Sequence, residues 1–158
     1  MNRPIFHMAF PVRDLRVARA FYVDVLDAKV GRVRERWVDV YLFEAQITLH
    51  EQPAQVLPEE QQGVRHFGAV LPWDAWESLA KRLQEKGVRF KGQPTITGAG
   101  TELEQAKLHL TDPSGNVVEV KAYRNPAAAL ENDDLQCTAG AGRADAVTLQ
   151  NDAEAHAT

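Results

Sequence analysis

Four histidines and one glutamate fall inside β-like segments, and their side chains are the ones with chemistry to offer. They are His7 in FHMAF, His50 in ITLHEQ, His66 in RHFGAVL, His109 in KLHLT and Glu119 in VVEVKAY. Imidazoles and carboxylates bind divalent metals, move protons, or simply hydrogen-bond. For His50, which stands beside Glu51, three uses are open: metal ligand, proton-transfer group, or polar residue at the rim of a sheet. A lone strand histidine is most often a hydrogen-bonded structural residue. A glutamate among valines needs a partner, either a cation or one of the nearby lysines, Lys107 or Lys121.

Strand alternation puts these groups together. Side chains at i and i+2 share a face. Phe6, Met8 and Phe10 therefore oppose His7 and Ala9, and Phe67, Ala69 and Leu71 oppose His66, Gly68 and Val70. Likewise Val38, Val40 and Leu42 oppose Asp39, Tyr41 and Phe43, while Ile47 and Leu49 oppose Thr48 and His50. Near the end, Leu108 and Leu110 oppose Lys107, His109 and Thr111, and Val118, Val120 and Ala122 oppose Glu119, Lys121 and Tyr123. The apolar faces suit a helix-covered core. The other faces either meet solvent or line a cupped cavity.

The helices are readable too. Asp14 caps a segment in which Leu15, Ala18, Tyr22, Val25 and Leu26 recur at helical spacing. Asp74, with Glu77 three residues on, caps a second helix whose stripe is Trp76, Leu79, Ala80 and Leu83. Gly87 stops it. The stretches from Phe6 and from Arg65 thus share one plan of strand, acidic cap, helix and strand. Two copies of one unit in a single sheet layer is the predicted organisation: module one at 4–52, a linker at 53–64 and module two at 65–125. A mostly disordered tail at 126–158, rich in Ala, Gly and acids, follows, with a helical stretch near Ala127–Leu130. His156 lies in that tail.

Composition removes several function classes. The formal charge is -4 and no basic face stands out, so no nucleic-acid partner is expected. No apolar run approaches the roughly 18–20 residues that span a bilayer, so no membrane is expected either. The opening MNRPIFHMAF lacks the features of a signal peptide. The single cysteine, Cys137, cannot form an internal disulfide, which fits a cytoplasmic location.

Three segments carry a resemblance: FHMAFPVRDLRVARAFYVDVL, the strand RHFGAVL, and LTDPSGNVVEVKAY, in which an Asp-Pro-x-Gly-Asn turn precedes a glutamate. In this order they resemble the vicinal oxygen chelate superfamily, which includes glyoxalase, bleomycin- and fosfomycin-resistance proteins and extradiol dioxygenases. The resemblance covers roughly residues 5–124. It implies an α+β fold of paired βαβββ modules forming an open, cupped mixed β-barrel with helices on the outer face. It also implies metal ligands on the first and last strands of each module, which here are His7, His50, His66 and Glu119. Family members are often dimers, so a homodimer is expected, with the barrel completed within one chain or across two.

Nitrogen and carboxylate ligands without thiolate suit Fe, Mn, Ni, Zn or Co. The leading expectation is a metal-dependent glyoxalase-like lyase or isomerase, acting on a small oxygen-chelating substrate through a metal-stabilised enolate. His50 is then a fourth ligand or a nearby base, and His109 a second catalytic candidate. Two alternatives stand beside it: an extradiol-type dioxygenase with Fe(II), and a metal-free, drug-sequestering binding protein. Tyr41, Phe43, Lys107 and Tyr123 are the substrate-binding candidates, with core packing the competing use of the aromatics. The RVRER run is a solvated strand face with an anion-steering option for Arg34 or Arg36. Trp73 and Trp76 anchor the second helix, and Asp112 is a turn residue.

Overall fold

The computed structural model describes residues 4–127. The chain runs β1 (His7–Val12), α1 (Leu15–Ala20), β2 (Lys29–Arg34), β3 (Trp37–Leu42), β4 (Ala45–Glu51), α2 (Glu59–Gln62), β5 (Phe67–Val70), α3 (Trp73–Glu85), β6 (Phe90–Thr97), β7 (Gln105–Thr111) and β8 (Val117–Tyr123). The result is an α+β fold of two βαβββ modules, cupped and not closed. Each module makes its own four-stranded sheet, ordered β1-β4-β3-β2 and β5-β8-β7-β6. In each, the first and last strands run parallel and the remaining pairs are antiparallel. The expected single layer is therefore two sheets. Their edge strands β1 and β5 meet through side chains, with the rings of Phe10 and Phe67 5.1 Å apart.

Alternation sorts the strands as predicted. Val38, Val40, Leu42, Ile47 and Leu49 are buried in module one, and Leu108, Leu110, Val118, Val120 and Ala122 in module two. Together with Tyr22, Trp76 and Leu83 they form one core under the helices. Phe6 departs from the pattern: it precedes β1 and is exposed. Fully burying one such aliphatic side chain stabilises the fold by roughly 1.5–3 kcal/mol.

Asp14 caps α1, its Oδ1 accepting from the Val17 N–H at 2.8 Å. The helix then widens into a π turn over Phe21–Val25. The predicted cap at Asp74 is corrected: α3 begins two residues earlier, with Pro72 at the cap position and Asp74 inside the first turn. Proline's fixed φ suits a helix start, and Glu77 accepts from the Trp73 indole at 2.8 Å. Trp76 anchors α3 by donating its indole N–H to the Val120 carbonyl at 3.0 Å. Gly87 ends the helix with φ +65°, a conformation that favours glycine. The linker holds a 3₁₀ turn (Pro53–Gln55) and α2.

The DPSGN turn joins the modules. Asp112 is buried; it accepts from the Ser114 and Asn116 N–H groups and from the Tyr22 hydroxyl at 3.0 Å. Burial, and then the neighbouring Asp112 charge, hold the Tyr22 phenol well above its ordinary pKa, so it stays a neutral donor. Ser114 accepts from the Arg13 N–H, and Asn116 donates to the Pro11 carbonyl. Among the described residues, no helix is long and apolar enough to cross a membrane. The predicted tail, with Cys137 and His156, lies outside the described residues apart from its first two positions.

Candidate functional site

Module two's open face converges on Glu119. Register sets this up: β5 pairs Gly68 with Glu119, and β7 pairs His109 with Glu119. The carboxylate is 10% exposed. Its Oε1 lies 2.9 Å from His109 Nε2, and its Oε2 lies 3.1 Å from both His66 Nε2 and Lys121 Nζ. The two imidazoles stand edge to face, 6.4 Å apart. A cavity of about 310 Å³ opens beside them, lined by His66, Gly68, Val70, Glu119 and Lys121.

Two glycines make room for this cluster. A Cβ on Gly68 would overlap the Glu119 carbonyl oxygen, so the close approach of β5 to β8 requires a bare α-carbon. A Cβ on Gly92 would stand 2.7 Å from His109 Nδ1, so that imidazole rests on open backbone.

His66 has a defined polarity. Its Nδ1 is 2.7 Å from the Val64 carbonyl, which can only accept, so Nδ1 carries a proton. In the neutral ring Nε2 then bears a lone pair. That lone pair faces a carboxylate oxygen at 3.1 Å. Two acceptors in contact require a proton or a metal cation between them.

Module one's open face differs. Asp39 is fully buried there and accepts from Thr48 Oγ1 at 2.6 Å, Arg32 Nε at 2.7 Å and Gln46 Nε2 at 3.2 Å. Burial pushes its pKa up, but the bonds from Thr48 and Arg32, with the charges of Arg32 and His7, outweigh this and hold it below the usual carboxylate range. The ring of Tyr41 lies over Gly31, where a Cβ would meet it at 2.7 Å.

Of the predicted ligands, His66 and Glu119 come together. His7 lies on the module-one face near Asp39. His50 lies against Trp37, ring centres 6.4 Å apart. The register position equivalent to Glu119 is held by Thr48, because β3 pairs Asp39 with Thr48 as β7 pairs His109 with Glu119. Among the described residues, no set of three or more His, Cys, Asp or Glu is arranged around a common point for a metal; His66 and His109 contact one carboxylate from different sides. Phe43 is in a turn with φ +51° and packs against the core. Tyr41 is exposed, while Lys107 and Tyr123 are partly exposed on β7 and β8. Sequence reasoning missed Thr48, Gln46 and Arg32 as partners of Asp39. The signal available was Asp39 itself, an acid between two valines.

Residues 5–120 match the Glyoxalase/Bleomycin resistance protein/Dioxygenase superfamily. No curated protein matches the chain. Among solved structures, a glyoxalase/bleomycin resistance protein/dioxygenase from Alicyclobacillus acidocaldarius is 28% identical, with a TM-score of 0.71 over 81% of this chain and 98% of that one. A genomically encoded fosfomycin resistance protein from Listeria monocytogenes shares the fold at 16% identity, TM-score 0.61, over 77% and 94%. A lactoylglutathione lyase from Agrobacterium tumefaciens does so at 16% identity, TM-score 0.54, over 75% and 92%.

Proposed function

Because the chain belongs to the glyoxalase/bleomycin resistance protein/dioxygenase superfamily, we propose that it is a divalent-metal-dependent enzyme that moves a proton on a small, oxygen-chelating molecule. The observation that carries this reading is His66. The Val64 carbonyl fixes its Nδ1–H, and its Nε2 faces Glu119 Oε2 at 3.1 Å. A carbonyl-anchored imidazole beside a carboxylate is how proteins orient metal ligands. The donors are nitrogen and oxygen, which suit Fe, Mn, Ni, Zn or Co.

In this reading His66 and Glu119 are the core of the ligand set. Within the described residues of one chain no three such groups meet at a common point, so His7 would join as third ligand, and His50 as fourth ligand or base, where the barrel is completed across the proposed homodimer. A cation bound there would supply Lewis acidity, holding vicinal oxygens and steadying negative charge as a proton leaves. The protein's own groups do the rest. His109, within hydrogen-bond reach of Glu119 Oε1, is the proton carrier nearest the carboxylate. Lys121 adds positive charge at Oε2. The half-open cavity admits a small molecule, and a homodimer is the proposed assembly.

Metal analysis tests the reading. Purified protein, dialysed against trace divalent ions, is expected to retain metal, and His66→Ala to lose it. Protein that binds no divalent metal, or a His66→Ala variant with unchanged metal content, overturns it. One observation favours a second reading, a metal-free binding protein: Lys121 already neutralises Glu119 at 3.1 Å. That reading predicts the metal-free result.

A further inference from the structure

Module one's open face carries charge that the proposed chemistry leaves unused. Asp39 is fully buried on the face opposite the apolar residues Val38 and Val40, held by Thr48, Arg32 and Gln46. Burying a carboxylate is costly and contributes nothing to apolar packing. What the arrangement achieves is the aim of Arg32. The guanidinium is held by Nε alone, 2.7 Å from Asp39 Oδ2, while the side chain is 63% exposed. Among the described residues, none accepts a hydrogen bond from its two terminal amino groups.

A second guanidinium stands at the same place. Arg32 Cζ is 5.2 Å and Arg34 Cζ 5.8 Å from the centre of the Trp37 ring. The indole is a platform on which both cations rest. Among the described residues, Arg34 donates only to the neighbouring Val33 carbonyl. Lys29 joins the same face, opposite Tyr41 in the register. Two like charges sharing one indole repel each other, and the one acid beneath them is already bonded to Arg32, Thr48 and Gln46. A simple structural ion pair between Arg32 and Asp39 requires neither free terminal amino groups nor a second arginine.

We propose that Arg32 and Arg34, seated on Trp37, form an oxyanion subsite that takes a carboxylate or phosphate group of a small molecule. The planar guanidinium fork matches such groups, and its terminal nitrogens are the atoms left for them. Asp39 is the positioning residue for Arg32. The subsite belongs to this chain whether or not module two holds a metal.

The test uses metal-stripped full-length protein in low salt, titrated with inorganic phosphate and followed by NMR. The Trp37 indole and Arg32 Nε–H signals are expected to shift together and saturate, with chloride at equal ionic strength giving no such shift. Arg32→Gln should weaken phosphate binding by about tenfold or more, given the strength of charge-assisted bonds to oxyanions. Arg34→Gln, which breaks no bond to Asp39, should weaken it as well and covers the case in which Arg32→Gln fails to fold. Asp39→Asn should broaden the Arg32 Nε–H signal and weaken binding less. Shifts that never saturate, that chloride reproduces, or that persist unweakened in Arg34→Gln overturn the proposal. Failure of metal binding would leave all of these outcomes unaffected.

Discussion

The two modules share a backbone plan and invert its electrostatics. Matched by register, Ala9 stands where Gly68 does, Thr48 where Glu119 does, Asp39 where His109 does, His50 where Lys121 does, and Trp37 where Lys107 does. In module two the acid is presented at the cavity and basic groups gather around it. In module one the acid is buried and a guanidinium is presented above it. Equal folds therefore put a donor of electron pairs on one face and a receiver of anions on the other. Where the ladder places a carboxylate decides what each half can bind.

Exchanging or deleting matched residues tests that contrast. The largest effect is expected at the Glu119 and Thr48 pair. Glu119→Gln should lower metal affinity by well over the roughly hundredfold typical of losing an outer-shell partner. Thr48→Ala should leave metal affinity unchanged, as followed by competition with a metallochromic chelator. Equal losses in the two variants would break the comparison.

Next is the Asp39 and His109 pair. Asp39→Ala leaves the buried Thr48 hydroxyl unpaired and releases the exposed Arg32 guanidinium to solvent, and should cost about 2 kcal/mol in urea unfolding. His109→Ala removes a partly exposed ring from a carboxylate that keeps His66 and Lys121, and should cost about 1 kcal/mol.

The smallest effect is on acid sensitivity. The folded-state pKa of Asp39 is depressed, so its contribution is fully present above the ordinary carboxylate pKa of about 3.9 and is lost as pH falls through the lower folded value. Asp39→Asn should therefore flatten the decline of stability below pH 4. An unchanged acid limb would show that the loss comes from other carboxylates.

Alternation alone placed Asp39, Tyr41, Thr48 and His50 on one open face and His109, Glu119 and Lys121 on the other, because a period of two is local. It could not rank them by depth. Asp39 and Tyr41 share a face, yet one is fully buried and the other exposed, since burial depends on Arg32 and Gln46 arriving from two other strands. His50 and Thr48 also share a face, and only the pairing of β3 with β4 shows that Thr48 holds the place of Glu119. Phe43 illustrates where alternation ends: its positive φ takes it out of the strand and its ring onto the core. Asp74 does not mark the start of α3, because Pro72, two residues before it, takes the cap position. The DPSGN turn was legible as a turn; its hold on module one was not, because that hold depends on contacts 90 or more residues apart in the chain.

That hold bears on how the protein is made. Tyr22 is fully buried and its hydroxyl donates to Asp112, 90 positions later. A nascent chain that has emerged only as far as β4 has a helix and four strands but no acceptor for this phenol. Closing the N-terminal core at that stage would bury an unpaired hydroxyl, at a cost of about 1–3 kcal/mol. Completing the N-terminal core is therefore expected to depend on a turn that lies 90 positions further along the chain.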